Sequence, residues 1–364
     1  MKAFIILGLI FSSIQVSFAE RPQSLIGLFK IDSSKVSGEL NKANIFGLSL
    51  NLDFKHKLNQ YIGINAHGGI SLETGQSSEY VSGRSFRPKN SLNLKHGAIE
   101  LIPFQFLKLE LGALNQGYHN NPLFLTSTPF LGAREVLSFS YKQWMFELDM
   151  IQAIPSNHSL SQRLGSIDEG SSRFFNEKLR AIGNGDALSL EFSLGLFAFD
   201  QLNSTIAYNS RLLGNSVSGV GPINNKFTQS YKGQNTDLVL TYKNFKYLNL
   251  SAEAAAHINQ NASKGKSTGY IVGPVLTSKT FENQFKLKLK TFKNEADATV
   301  AYYSSKFTGQ TNRKGVSAGL RVENKKLELE YGLDTYFTKP IISNSFQESE
   351  TILNLSLRKS YDFL

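Results

Sequence analysis

The chain of 364 residues has no cysteine, one tryptophan and three methionines. Without thiols there is no disulfide framework, no thiol catalysis, no iron–sulfur cluster and no cysteine-ligated zinc. Beyond the N-terminus no stretch offers 18 uninterrupted apolar residues, so a mature chain that enters a membrane cannot cross it as helices. A Walker A loop, a GxGxxG-led βαβ unit, a GxSxG elbow and an H-E-x-x-H helix are also lacking. The histidines His56, His67, His96, His119, His158 and His257 are isolated from one another. Of these, His67 and His257 face the polar side of their segments and are the sensible general-base candidates, yet no nucleophile or metal motif accompanies them. The sequence implies no enzyme, no cofactor and no metal.

What is present begins with an export signal. Residues 1–19 carry Lys2, an apolar run from Phe4 to Phe11, and the small residues Ser17 and Ala19 at the −3 and −1 positions of a cleavage site. The run is too short to span a bilayer, and polar Ser12, Ser13 and Gln15 follow it. Residues 20–364 show no linker or composition break and read as one domain. The formal net charge of +10 suits nucleic acid, an anionic lipid surface or anionic solutes, so the position of the charges must decide.

Period-two alternation dominates the rest. Leu353, Leu355 and Leu357 alternate with Asn354, Ser356 and Arg358, and Leu327, Leu329, Tyr331 and Leu333 alternate with Glu328, Glu330, Gly332 and Asp334. The same rule predicts about 16 strands, at 23–32, 44–55, 60–71, 91–101, 105–116, 130–141, 143–154, 186–198, 202–212, 235–243, 246–258, 283–292, 295–306, 314–323, 326–337 and 350–363. A phase change near His96 and Gly97 suggests a bulge. The stretch 268–279 could add two short strands, so 14 or 18 remain open. Short turns alternate with long polar loops, of which 155–185 is the longest. This is the layout of an all-β, transmembrane, antiparallel up-and-down barrel. Phe54, Phe104, Phe106, Trp144, Phe146, Phe199, Phe245, Tyr247 and Phe292 fall beside the short turns, where an interfacial girdle is expected.

The chain closes on Tyr361-Asp-Phe363-Leu364. With the signal, the alternating strands and the turn pattern, this ending resembles the bacterial outer-membrane β-barrels of the general porin-like class. The resemblance implies residence in the outer membrane of a Gram-negative-type bacterium, contact with its lipid and lipopolysaccharide, and delivery to the barrel-assembly machinery through Tyr361 and Phe363. The acidic motif that many trimeric porins carry in a constriction loop has no counterpart, and homo-oligomer formation stays open.

The polar faces of the strands carry eleven basic residues (Lys55, Lys95, Lys108, Arg134, Arg211, Lys243, Lys286, Lys288, Lys290, Arg321, Arg358) and twelve acidic ones, including Glu147, Asp149, Asp297, Glu328, Glu330 and Asp334. Such a mixture is costly in a dry core and tolerable in a watered channel. Lys286, Lys288 and Lys290 form a ladder that either sets selectivity or pairs with carboxylates such as Asp297. In the loop 155–185, Asp168, Glu169 and Arg173 surround Phe174-Phe175, an apolar pair that would pack if the loop folded inward as a constriction. The expected function is passive diffusion of small hydrophilic solutes or ions through a wetted lumen. A non-conducting barrel with adhesive loops is the second reading and an outer-membrane hydrolase the third. Nucleic-acid binding would need a basic face that this balanced lumen does not supply.

Overall fold

The computed structural model describes residues 24–79, 86–118, 121–155, 172–221, 224–245, 247–280 and 282–363. The leader expected at 1–19 lies outside them. In chain order the strands are β1 (Ser24–Ser37), β2 (Asn41–Lys57), β3 (Ile62–Glu79), β4 (Ser91–Phe104), β5 (Leu107–Asn115), β6 (Pro129–Tyr141), β7 (Trp144–Ile154), β8 (Arg173–Asn184) and β9 (Leu188–Asp200). A helix, α1 (Ser204–Leu212), and the two-residue strands β10 (Val217–Ser218) and β11 (Lys226–Phe227) follow. The chain continues with β12 (Tyr231–Phe245), β13 (Leu248–Asn259), β14 (Thr268–Thr280), β15 (Asn283–Asn294), β16 (Arg313–Asn324), β17 (Leu329–Pro340) and β18 (Glu350–Asp362).

Sixteen of these strands close into one antiparallel barrel, in which β9 pairs with β12 and β18 returns to pair with β1. A closed ladder leaves no strand edge, which is the condition for a sheet to sit in hydrocarbon. The side chains obey the same logic. On β15 the outward residues Leu287 and Leu289 are 39% and 50% exposed to the surroundings, while Lys286, Lys288 and Lys290 face the lumen. An apolar outer wall around a polar interior is the inverse of a soluble core and suits a bilayer as solvent. Short turns lie at one end of the barrel and long loops at the other, so the long loops are extracellular and the turns periplasmic.

The strand number agrees with expectation, but two segments exchanged roles with two others. The stretch read as a strand at 202–212 is mostly helix, started by the Asn203 side chain accepting from the Ile206 N–H at 2.9 Å and burying Ile206, Ala207 and Ser210 on one face. Arg211 is therefore in the last turn of a helix, not on the lumen wall. The stretch at 295–306 is a loop with a 3₁₀ turn at Ala301–Tyr303. In their place stand β8, assigned from sequence to a loop, and β14, a single strand where two short ones had been the alternative.

Three details tune the wall. The bulge falls at Lys95, because His67 pairs with His96 while Gly68 already pairs with Leu94. The extra residue lets Lys95 and His96 both turn inward although they are consecutive. At the periplasmic rim, Phe104 and Phe106 stack at 5.4 Å and Trp144 and Phe146 at 6.3 Å, forming the expected girdle. The seam uses Gly27, where a Cβ would come within 2.5 Å of the Phe363 ring, so glycine is required for that ring to lie across β1. Phe199 and Phe292 do not belong to the girdle: both point inward near the extracellular end and are buried. The strands expected at 202–212 and 295–306 would have made 200–203 and 293–296 short turns, but both segments open long loops.

Candidate pore

The extracellular third of the lumen is partly filled by the chain's own loops. The segment 121–128 after β5, helix α1 and the segment 295–312 after β15 pack on inward residues at the tops of β6–β9 and β12. Phe124 meets Phe197 at 4.6 Å, Phe130 meets Tyr303 at 5.0 Å, and Tyr303 stacks on Phe199 at 5.8 Å. Inward positions under the loops are thus either aromatic, or polar and bonded to the loops, as at Asn294 and His257. Burial of the loop backbone demands paired amides. Asn294 donates to the Leu123 and Gln310 carbonyls at 3.1 and 3.0 Å, and its Oδ1 lies 3.1 Å from the His257 ring. The other ring nitrogen of His257 is 3.2 Å from the Asn121 amide. Asn215 donates to the Ala296 and Thr299 carbonyls and accepts from the Ala301 N–H.

On this closed side nine of the remaining inward charges are neutralised in place. Arg134 joins Glu110 at 3.1 Å and Asp149 at 2.8 Å, and Lys108 adds to Glu110 at 2.9 Å. Arg180 joins Glu147 at 3.0 Å and Glu191 at 2.9 Å. Lys178 pairs with Asp237, which also accepts from the Ser193 hydroxyl; the two charged side chains are only 7% and 5% exposed. Buried ions of this kind persist because each has an opposite partner in hydrogen-bond contact.

The opposite side, from β15 through the seam to β4, is less neutral, although Phe86 and Phe307 cover its extracellular end over Val36, Ile45 and Ile352 and the fully buried Arg313–Glu350 pair lies there. Lys30 pairs with Asp32 at 3.3 Å while its side chain stays 40% exposed, and Arg321, held by Asp334 at 2.5 Å, stays 30% exposed. In the lysine ladder one carboxylate serves two of the three cations: Glu253 contacts Lys290 at 2.5 Å and Lys286 at 4.0 Å. Lys288, Lys95 and Arg358 have no ion-pair partner among the described residues, and Lys95 stands within electrostatic reach of Lys30 and Arg358. Above them the infolded loop presents Lys306, whose ammonium lies 5.0 Å from the Phe86 ring. Burial pushes that ammonium's pKa down, with Glu73 and Asp32 opposing and Lys89 and Lys30 reinforcing.

The ladder residues, Arg321, Arg358, Glu330 and Asp334 therefore share one side of the lumen, whereas Glu147 and Asp149 lie in the ion-paired network opposite. The ladder's carboxylate is Glu253, not Asp297, which is buried in the infolded loop and accepts from the Ser216 N–H at 2.8 Å. Glu328 is not on the wall: it occupies the turn before β17 with φ +51°. Arg173, Phe174 and Phe175 form the start of β8 rather than a constriction loop, although Phe174 does pack inward against Phe130 and Phe199. Asp168 and Glu169 lie outside the described residues. Sequence reasoning missed Lys178, Arg180, Lys30 and Asp32, because β8 was unrecognised and β1 is apolar in both phases, with Leu25 and Phe29 against Ile26 and Leu28. It also missed the loops that fill the mouth, for which Leu123-Phe124-Leu125 in an otherwise polar connection was the available signal.

No family model matches the chain, and no curated protein sequence does. Solved structures match in fold. OprB of Pseudomonas putida superposes with a TM-score of 0.58 at 12% identity, covering 93% of each chain. OmpF of Salmonella typhi, in a complex with daunomycin, gives 0.52 at 9% identity over 93% of this chain and 97% of that one. A loop-deletion mutant of OmpT, an outer membrane protein of Vibrio cholerae, gives 0.50 at 8% identity over 93% and 98%. By its closed sixteen-strand wall, apolar outside and charged inside, the chain has the fold of the porin-type barrels of the outer membrane.

Proposed function

We propose that the protein is a passive channel for small hydrophilic solutes, with its passage confined to the side of the lumen between β15 and β4. The observation that supports this is the contrast in access between charges that face the same interior. Lys30 and Glu330 keep 40% and 37% of their side-chain surface exposed, whereas Lys178 and Asp237 keep 7% and 5%. Lys30 and Glu330 are open to solvent and the Lys178–Asp237 pair is enclosed by protein, although Lys108 and Arg180 on the ion-paired side also keep 36% and 37%. Charged groups left solvated along a continuous wall are what a diffusion path requires, and no reaction or cofactor enters the account. The infolded loops narrow the mouth and set a size limit below that of an unobstructed sixteen-strand barrel. Liposomes containing the purified protein should swell in small sugars and amino acids, with rates falling steeply as solute size rises. Absence of swelling with the smallest solutes from correctly folded protein would overturn the proposal in favour of a barrel that acts through its loops alone.

A further inference from the structure

The outer wall carries a feature that neither permeation nor barrel closure uses. Lys293, Lys314 and Lys339 stand directly opposite one another on β15, β16 and β17. All three point away from the lumen, because their neighbours Phe292, Arg313 and Thr338 are buried inside. Like charges placed directly across a ladder repel and destabilise the sheet unless an anion sits among them. The chain supplies only part of that anion. Lys293 reaches Glu295 at 2.6 Å; burial works against ionisation of Glu295, but Lys293 and the Thr268 N–H hold its carboxyl below the usual carboxylate range. Lys314 and Lys339 have no ion-pair partner among the described residues, and the outward positions of β14–β18 contain no Asp or Glu.

Position supplies the second half of the argument. The lysine row lies at the long-loop end of the strands and continues on β14 with the exposed ring of Tyr270. One row nearer the membrane centre the same strands present Thr291, Val316 and Phe337, the last two 51% and 50% exposed. Cations above and apolar side chains below match an amphiphile that carries phosphate over acyl chains in the extracellular leaflet. We propose that this face of β15–β17 is a binding site for lipopolysaccharide, with its phosphates among Lys293, Lys314 and Lys339 and its acyl chains along Val316 and Phe337. Charge-assisted hydrogen bonds from ammonium to phosphate would replace the repulsion with attraction, in a place where bulk water cannot screen it fully.

Native mass spectrometry of the folded protein in detergent tests this with three probes: bisphosphorylated lipid A, the same lipid without phosphates, and inorganic phosphate alone. Binding of the bisphosphorylated lipid should exceed that of the dephosphorylated lipid at least tenfold, and inorganic phosphate should not be retained. The double variant Lys314→Gln with Lys339→Gln should lose most of the difference, while Lys359→Gln, on the outer face at the periplasmic end, should keep it. Equal binding of the two lipids, or an unchanged double variant, would overturn the site; retention of inorganic phosphate as strong as that of the lipid would make it a free-anion site instead. Should the double variant fail to fold, Lys339→Gln and the comparison of lipids decide the matter.

Discussion

Two sides of one lumen are built from the same alternating strands and end in opposite states. Between β5 and β12 the inward residues are either covered by loops or locked in contacts such as Arg134 with Glu110 and Asp149. Between β15 and β4 the extracellular end is covered too, by Phe86 and Phe307, but below it Lys288, Lys95 and Arg358 have no ion-pair partner among the described residues and several side chains stay open to solvent. Strand pattern therefore sets the polarity of a face, and what the loops do above it sets whether that face stays open to solvent. Removing a partner should be far more damaging where water is excluded. Asp237→Leu leaves the Lys178 ammonium buried and alone and should cost about 3–5 kcal/mol, read as lost folding yield in lipid vesicles. Asp334→Leu, beside the part-exposed Arg321, should cost about 1 kcal/mol or less. Similar losses from both would erase the distinction between the sides.

The loops can be tested by the same contrast. Phe124→Ala empties a fully buried position among Phe197, Phe199 and His257 and should cost about 3–5 kcal/mol at that site. Because the loop and not the wall is loosened, single-channel conductance should rise while the barrel survives. Across the wall rather than around it, Leu355→Arg places a cation on the lipid face and should cost about 2–4 kcal/mol, whereas Ser356→Arg, facing the lumen, should be tolerated. Equal yields of the two would show that β18 is out of phase.

The smallest expected effect is on ion preference. Lys288→Glu reverses a lumen charge that has no ion-pair partner among the described residues, so reversal potentials under a salt gradient should move towards cations, most at low ionic strength, since salt screens beyond about 10 Å at 0.1 M. Arg180→Gln, in the ion-paired network of Glu147 and Glu191, should leave the potential nearly unchanged.

How much of this was legible in the sequence depends on whether one face of a segment met lipid and the other water. β17 and β18 satisfy that condition and show it in every other residue, as do Lys286, Lys288 and Lys290 of β15. β14 does not: Ile271 and Val275 point inward yet are buried, so both of its faces are apolar and the alternation disappears. β8 hides for the converse reason, with Arg173 and Glu177 on its outer face and Phe174 on its inner one. The stretch 204–212 alternates well enough to imitate a strand, but Ile206, Ala207 and Ser210 share one side at helical spacing and Asn203 caps it. Which loops fold inward is a matter of tertiary contacts such as Asn121 with His257 and Asn294 with Leu123, and no local pattern announces those.

Because the chain contains no cysteine, a single introduced thiol reports access at one chosen point. Ser356→Cys places it on the open side and Asn176→Cys on the closed side, where Asn176 is fully buried beside Asn235. In a planar bilayer, a small charged thiol reagent should reduce the current through Ser356→Cys channels in discrete steps and leave Asn176→Cys channels unaffected. Block of both at similar rates, or of the second alone, would contradict a passage confined to the side between β15 and β4.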